Sequence, residues 1–466
     1  MLTEKMQKKI ISKNDIAGKN VSVLGMAKSG LAAAKLLKKA GANVFVSDNG
    51  SLQNLHNAVI ELESSEIKYE TGEHTKRILD ADLLVVSPGI PSNLNIIREA
   101  EENGLTIISE LELGSWYCRA QIVAVTGTNG KTTTTTLIGK ILEHAGKPFK
   151  VGGNIGTAFC EFAQEIEENS IAVLEVSSFQ LDFINSFHPK IAILLNITPD
   201  HLDRYDHNLD RYIAAKCRVF ENQTTDDYLI YNDDDEETKE QVRRFASLHV
   251  KIIPFSIRKE LELGAFVKNN ELIVRINNKE SNLLKIERIG IRGAHNLYNA
   301  MAATLAAKLS GVGDKIITKT LISFQGVEHR LEFVREINGV RFINDSKATN
   351  VDSVWYAIQA FNEPLILILG GRDKGNDYRK LDECVTRHVK KIVAIGESAQ
   401  KVYDHFHEIK PVILANSMED AVKKGLLNAS AGDIVLLSPA CASFDWFKNF
   451  EHRGMVFKEI VMSIKN

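Results

Sequence analysis

The residues best suited to handle a nucleotide phosphate fall together at Thr126-Gly127-Thr128-Asn129-Gly130-Lys131-Thr132. The segment leaves an apolar run, Ile122–Val125, and enters a stretch with helical spacing, Thr132–His144. Glycines at 127 and 130 let successive backbone N–H groups turn toward phosphate oxygens. A helix beginning at this point adds partial positive charge. Lys131 has the reach for the β- and γ-phosphates, and the Thr132 hydroxyl suits Mg2+. The longer form of such loops, GxxxxGK[ST], begins with glycine. That place is Val125 here, so the loop is a shortened variant. An ordinary glycine turn is the bland reading. Lys-Thr at the opening of a helix favours ATP, with Gly127, Thr128, Asn129, Gly130, Lys131, Thr132 and Thr133 as its binding segment.

Such a loop serves kinases, switches, motors and ligases alike, so further residues must decide. Glu175 closes the apolar run Ile171–Glu175. A carboxylate at a strand end beside a phosphate loop is placed to hold Mg2+ through hard oxygen. His201 follows another apolar run, Ile191–Asn196, and suits a metal or a carboxylate. Lys216, in Tyr212-Ile-Ala-Ala-Lys216, reads by itself as a surface lysine.

These residues need a scaffold, and the chain repeats one. A short apolar run, a Gly- or Ser-containing turn and a helix-like stretch recur at Val21–Gly25, Val44–Asp48, Leu83–Pro91, Ile122–Gly127, Ile171–Glu175 and Ile191–Asn196. Near the end come VRFIND, PLILILGG, KIVAIG and DIVLLSPA. Continuous apolar runs alternating with helical spacing indicate parallel sheets covered on both faces, hence an α/β chain. Ligands then belong at the carboxyl ends of the strands. Breaks near Ser109–Arg119 and Gln325–Glu328 divide the chain into residues 1–112, 113–325 and 326–466. Residues 226–291 are rich in charge and alternation, with a hairpin reading over Asn269–Glu280, and are expected to form an antiparallel addition to the middle domain. Asp233–Glu236 reads as a solvated turn.

Composition narrows the class. The chain has 466 residues, a formal net charge of −3 and 25% charged residues, which gives no basic field for nucleic acid. The start is polar, without the apolar centre of a secretory signal. No apolar run nears the ~20 residues that span a bilayer. Five scattered cysteines without CxxC spacing fit a reducing compartment, with neither structural zinc nor disulfides. The expectation is a soluble cytoplasmic protein, monomeric, without membrane insertion.

Taken together, the motifs resemble those of the Mur ligases of peptidoglycan synthesis. GTNGKT is shared with folylpolyglutamate synthases and gives only the superfamily. The finer matches are GGNIG (Gly152–Gly156), EVSSFQL (Glu175–Leu181), Asp200-His201-Leu202-Asp203 and His295-Asn296-Leu297-Tyr298-Asn299. Further on come His329-Arg330, NDSKATN (Asn344–Asn350), GGRDKG (Gly370–Gly375) and SPACASFDWFKNFEHRG (Ser438–Gly454). The last phrase is associated with the member that adds D-glutamate.

The resemblance implies a Rossmann-like first domain, a central ATPase domain and a Rossmann-like third domain. It implies ATP-driven joining of D-glutamate to UDP-N-acetylmuramoyl-L-alanine through an acyl phosphate. Gly25, Ser29, Gly30, Asp48, Ser87, Pro88 and Gly89 match positions that hold the UDP part. GMAKSG alone is a weak signal, and an NAD domain is the bland alternative. Asn154 and His201 match positions toward the sugar–alanyl part or its metal, and Ser177 joins the UDP-substrate set. Lys216 matches a lysine that is carbamylated in these ligases, so that Thr132, Glu175, His201 and Lys216 hold two Mg2+ ions. Lys131, His201 and Lys216 become the catalytic candidates. Asn296, Asn299, Arg330, Asp345 and Lys347 match nucleotide contacts, and Thr349, Lys374, Ser443 and Phe450 match the D-glutamate pocket. The rival readings are another Mur ligase or a folylpolyglutamate synthase, a non-catalytic sensor of UDP-sugars, and a GTPase switch. No diaminopimelate-type Asp-Asn-Pro-Arg and no guanine-reading Asn-Lys-x-Asp is present at a suitable place.

Overall fold

The computed structural model describes residues 15–245, 250–373 and 375–464. The apolar runs are strands of three sheets, each the frame of one α/β domain. The first sheet contains β1 (Asn20–Leu24), β2 (Asn43–Asp48), β3 (Lys68–Thr71), β4 (Leu83–Val86) and β5 (Thr106–Ser109), in the order β3-β2-β1-β4-β5. All its pairs are parallel. The order reverses between β1 and β4, which opens a crevice beyond their carboxyl ends, at Gly25–Gly30 and Ser87–Gly89.

The second sheet holds β6 (Gln121–Thr126), β7 (Phe149–Gly153), β8 (Ile171–Glu175), β9 (Ile191–Leu194), β10 (Tyr228–Asn232), β11 (Lys251–Ser256), β12 (Gly264–Lys268), β13 (Glu271–Ile276) and β14 (Lys279–Lys285). Its order is β14-β13-β12-β11-β10-β9-β6-β8-β7. The antiparallel addition is narrower than its composition suggests. Strands β10 and β11 continue the parallel sheet, and only β12-β13-β14 run antiparallel to one another. Alternation reports one-sided burial, which outer parallel strands share with antiparallel ones. The hairpin turns are Asn269-Asn270 and Asn277-Asn278, all four with φ between 50 and 63°. Such pairs of left-handed residues suit two-residue hairpin turns, and asparagine tolerates them well.

Asp233–Glu236 holds a turn at 233–234, as expected, and Glu236 is exposed, but the three aspartates are not simply solvated. Asp233 is buried, and Asp234 accepts hydrogen bonds from the Ser256 hydroxyl (2.6 Å), Ile257 N (2.7 Å) and the Tyr298 hydroxyl (3.0 Å). Asp235 caps the following helix through Thr238 N (2.9 Å). The acids organise the loop after β10 by collecting orphan donors.

The third sheet contains β15 (Glu332–Ile337), β16 (Val340–Asn344), β17 (Leu365–Gly370), β18 (Val389–Ile395), β19 (Val412–Leu414) and β20 (Ile434–Leu437), in the order β15-β16-β20-β17-β18-β19. Only β15 is antiparallel to its neighbour. By compactness the first two sheets form one unit, and the third sheet forms another together with Arg288–Leu297.

The first two sheets are joined by the helix Glu110–Tyr117, which starts directly after β5. Glu112 is fully buried, and its carboxylate accepts from the backbone N–H groups of Asn185 (2.9 Å), Ser186 (2.9 Å) and Phe187 (2.8 Å). Trp116 Nε1 (2.7 Å) and the Ser186 hydroxyl (2.5 Å) complete the set. Glu110, two residues earlier, is also buried. One of its oxygens accepts from Cys160 N (2.7 Å), while the other is sealed from water with no partner. Burial pushes the Glu110 carboxyl up to about 7, against the lowering effect of the Cys160 N–H.

Candidate active site

The phosphate loop leaves β6 at Thr126 and enters the helix Lys131–His144. Gly127 and Gly130 have φ of 145 and 89°, conformations that L side chains rarely adopt. Space for a side chain is tight as well. A Cβ on Gly130 would lie 2.2 Å from Asn299 Oδ1, and one on Gly127 would lie 3.0 Å from Leu195 Cβ. The loop is braced from the end of β9. Asn196 accepts from Asn129 N (2.8 Å) and donates to Asn129 O (3.0 Å). The Thr128 hydroxyl donates to Thr198 O (2.9 Å), accepts from Thr198 N (3.0 Å) and meets the Tyr212 hydroxyl at 3.0 Å.

Two ammonium groups converge on this loop. Lys131 Nζ folds back to donate to Gly127 O and Thr128 O, both at 2.9 Å. Lys216 Nζ donates to the same Gly127 O, also at 2.9 Å, and lies 4.5 Å from the centre of the Tyr212 ring. Lys216 is 2% exposed, so the surface reading of this lysine is wrong. Tyr212 and Lys216 are four apart on the helix Leu209–Cys217, and that spacing turns both inward. Burial first, then the Lys131 charge, push the Lys216 pKa well below the usual lysine range, and Asp200 opposes them.

Glu175 ends β8 and is buried. One carboxylate oxygen accepts from the Thr132 hydroxyl (2.7 Å) and the other from Asn154 Nδ2 (3.2 Å). The hydroxyls of Thr126, Thr133 and Thr198 are buried around the loop without a partner. Carboxylate and hydroxyl oxygens beside orphaned buried hydroxyls fit a hard divalent cation. His201 has left-handed backbone, φ 52°, and its ring meets Phe179 in a T-shaped contact at 6.1 Å. Its Nε2 lies 3.8 Å from Asp200, the carboxylate that acts on Lys216. The structure thus joins Thr132, Glu175 and Asn154 in one network and Lys131 with Lys216 in another, with His201 linked through Asp200.

A cavity of about 340 Å³ is lined by Ala27–Ser29, Ser87–Gly89 and Gly153–Gly156 with Ala158. It gathers the expected UDP-substrate segments of the first sheet and Asn154 of the second. Gly25 and Gly30 allow the close approach behind it, since a Cβ on Gly30 would lie 1.9 Å from Gly25 O. Asp48 shapes the cradle. Its oxygens accept from Met26 N and Gly50 N, both at 2.7 Å. Ser177 caps the helix Ser178–Leu181, with its N–H on Gln180 Oε1 at 3.0 Å. Lys28, on the cavity wall, was not singled out by its sequence context.

The loops of the third sheet carry a second cluster. Asp345 accepts from Leu331 N (3.2 Å) and the Ser438 hydroxyl (2.8 Å). Burial pushes its carboxyl up to about 7, against the lowering charge of Arg330. Lys347 Nζ lies 4.9 Å from the centre of the Phe450 ring. Arg453 is buried and holds two loops at once, donating to Ser346 O (2.8 Å), the Ser346 hydroxyl (2.9 Å) and Cys441 O (3.0 Å). Ser443 is buried just beyond the second of these loops, and Thr349 lies half-buried beyond the first. Asn296 and Asn299 share the helix Ala294–Leu309, one turn apart, and Asn296 donates to Arg292 O (2.8 Å). Lys374 lies outside the described residues.

Residues 125–307 match the model of the Mur ligase middle domain, 329–441 that of the Mur ligase glutamate ligase domain, and 20–96 that of the MurD N-terminal domain. A UDP-N-acetylmuramoylalanine–D-glutamate ligase of Chloroherpeton thalassium is 46% identical over 97% of this chain and 99% of its own length. The chain belongs to the Mur ligase family. A second such ligase, from Salinibacter ruber, is 42% identical over 97% of this chain and 99% of its own length. Among solved Mur ligase-like folds, a pseudomurein peptide ligase type C from Methanothermus fervidus superposes with a TM-score of 0.59 over 96% of this chain and all of its own. At 20% identity that likeness speaks for the fold alone.

In this Mur ligase the side chains that brace the site were the hardest to foresee. Asn196 was visible as the polar end of an apolar run, which is a usable signal. Tyr212 and Arg453 stand inside quoted motifs, yet nothing in their spacing reveals that one bonds Thr128 and the other clamps two loops. Among the described residues Glu328, His329 and Glu332 also gather closely. Lys458 pairs with both carboxylates, at 2.7 and 2.5 Å, so these acids already share a cation supplied by the chain.

Proposed function

We propose that this chain ligates D-glutamate to UDP-N-acetylmuramoyl-L-alanine with cleavage of ATP to ADP and phosphate. The observation that carries the reading is Glu175. Its carboxylate ties Thr132 of the phosphate loop to Asn154 on the wall of the 340 Å³ cavity. A nucleotide phosphate and the carboxylate end of a UDP-linked substrate are thereby brought to one buried anion.

A carboxylate does not react usefully with an amine, because its leaving oxygen is too basic. Transfer of the γ-phosphoryl onto the alanyl carboxylate makes an acyl phosphate with a good leaving group. That step needs positioning and charge neutralisation more than covalent help. Lys131 leaves the carbonyls it now caps and takes the β- and γ-oxygens. Mg2+ held by Thr132, Glu175, His201 and carbamylated Lys216 would supply further neutralisation where two anions meet. The depressed pKa of Lys216 favours its neutral amine, the form that adds to CO2 with loss of a proton to give the carbamate. Ser29, Ser87 and Gly89 take the UDP part, with Asp48 holding the turn at Met26. Asn296, Asn299, Arg330, Asp345 and Lys347 take the nucleotide. Thr349, Ser443 and Phe450, with Lys374, take D-glutamate, whose amine attacks the acyl carbon. Collapse of the tetrahedral intermediate leaves amide and phosphate.

The test is phosphate release with UDP-N-acetylmuramoyl-L-alanine, ATP and a panel of amino acids. Turnover confined to D-glutamate is expected. Amide formation without nucleotide consumption, or turnover with another amino acid in its place, overturns the reading.

A further inference from the structure

We propose that Arg204 is a positioning residue that couples the loop Ser87–Gly89 of the first sheet to the placement of His201 in the second. The inference rests on the reading above, in which that loop receives the UDP part and His201 serves the acceptor end.

Arg204 lies in the short turn Leu202–Tyr205, whose preceding residue is His201. Its Nη1 donates to Pro88 O and its Nη2 to Gly89 O, both at 3.0 Å. One planar fork therefore holds two consecutive carbonyls of the other domain. The guanidinium carbon stands 4.4 Å from the centre of the Phe179 ring. The same ring makes the T-shaped contact with His201. A continuous set of contacts thus runs from the substrate loop through Arg204 and Phe179 to the imidazole.

Three features give this set a positioning role. The guanidinium donates to two carbonyls and lies against a ring face, with the Asp182 carboxylate acting on it through space, so geometry as well as charge defines the contact. Lysine cannot reproduce it, since a single ammonium does not span two carbonyls and stack on a ring at once. On another side Arg204 borders an open cavity of about 450 Å³, shared with Asp182, Arg98, Arg211 and Arg218, while the loop and the ring hold its near side. Lastly, His201 holds left-handed backbone, as does Asp206 just past the turn, both with φ of 52°. Such a conformation persists where the surroundings over-determine it. A shift of the loop as the UDP part seats is passed to the imidazole through the shared ring.

The experiment is steady-state kinetics of Arg204→Met, Arg204→Lys and Phe179→Leu, with calorimetric binding of UDP alone and melting curves as a fold control. Arg204→Met should raise KM for UDP-N-acetylmuramoyl-L-alanine and lower kcat, each about tenfold, since small misplacement at a reacting centre is costly. KM for ATP should stay within about twofold, since this contact set does not touch the nucleotide. Arg204→Lys should follow Arg204→Met. Phe179→Leu should lower kcat while leaving the affinity for UDP unchanged. The double variant should be no slower than the worse single one, the mark of residues acting in series. A rise in KM alone in Arg204→Met, a wild-type-like Arg204→Lys, or kcat losses that multiply in the double variant overturns the proposal. If Arg204→Met does not fold, Arg204→Lys and Phe179→Leu decide. Absence of turnover in the wild-type enzyme sinks the proposed function instead, and so is told apart.

Discussion

The carboxylate of Glu112 and the side-chain nitrogen of Lys216 both belong to residues shut away from water, with exposures of 0 and 2%. Their surroundings are opposite. Glu112 collects three backbone N–H groups, an indole N–H and a hydroxyl, so the chain itself completes its solvation. Lys216 shares one carbonyl with Lys131, and its recorded neighbours include a second cation. A buried charge whose partners are all supplied by the chain holds structure together. A buried lysine beside a second, part-buried cation over a phosphate loop is a fold held short of its optimum, which is where ligands and chemistry are expected.

The contrast can be broken or sharpened by substitution. The largest effect should come from Lys131→Ala, which removes a phosphate clamp and should cut ligation by ~10³-fold or more while the melting temperature hardly moves. ATP-dependent phosphate release reads it, and retention of a tenth of the parent rate would refute the clamp. Glu112→Ala should do the reverse. It leaves buried donors without an acceptor and should cost about 3 kcal/mol in denaturant unfolding, with kcat per folded molecule kept. A drop in kcat without loss of stability would erase the distinction between the two regions. Lys216→Ala should lower ligation by about 10²-fold, in the range seen when groups that support a metal site are removed. Added formate or acetate should restore part of the rate if a carboxylate is what Lys216 supplies. No rescue with the fold intact would remove the carbamate from the scheme.

The smallest effect, a few degrees in melting temperature, should come from Glu110→Gln. The folded-state pKa of Glu110 is raised from the ordinary 4.5 to about 7. Between those values the folded protein holds a proton that the unfolded chain has released, so wild-type stability falls as pH rises through that window and levels off above it. Glutamine removes the slope and can still accept from Cys160 N. Melting curves from pH 5 to 8 should converge at the acid end and separate toward pH 8, with the variant higher. Parallel curves would show that Glu110 stays ionised.

How legible this was depends on range. The phosphate loop is a local device, six residues whose turn, charge and helix start are adjacent in the chain, so its pattern can be read directly. Glu175 is nearly as local, being the polar end of a buried strand. Lys216 was not legible from its surroundings in the chain, because helical spacing alone does not tell an inward lysine from an outward one. Four of the five donors around Glu112 come from residues more than seventy positions away, at 185–187, and no short window of sequence contains the nest. Arg204 is equally distant from the carbonyls it holds. The acids at 233–236 misled for a related reason. A run of aspartates looks hydrated until the loop that wraps over it is known. Among the strands, β3 and β5 are short and half polar and β19 is only three residues long, so the long continuous apolar signature that marks β17 is missing.

Gly130 carries a consequence for any molecule meant to plug the nucleotide site. The space a Cβ would need is held by the Asn299 amide, and the backbone there is left-handed. A population under drug pressure ordinarily escapes by swapping in a bulkier neighbour that evicts the compound. At this turn such a swap meets both the Asn299 amide and a left-handed backbone, so it would disturb the loop itself along with the compound. Compounds anchored against that bend would therefore confront an adversary with few replies.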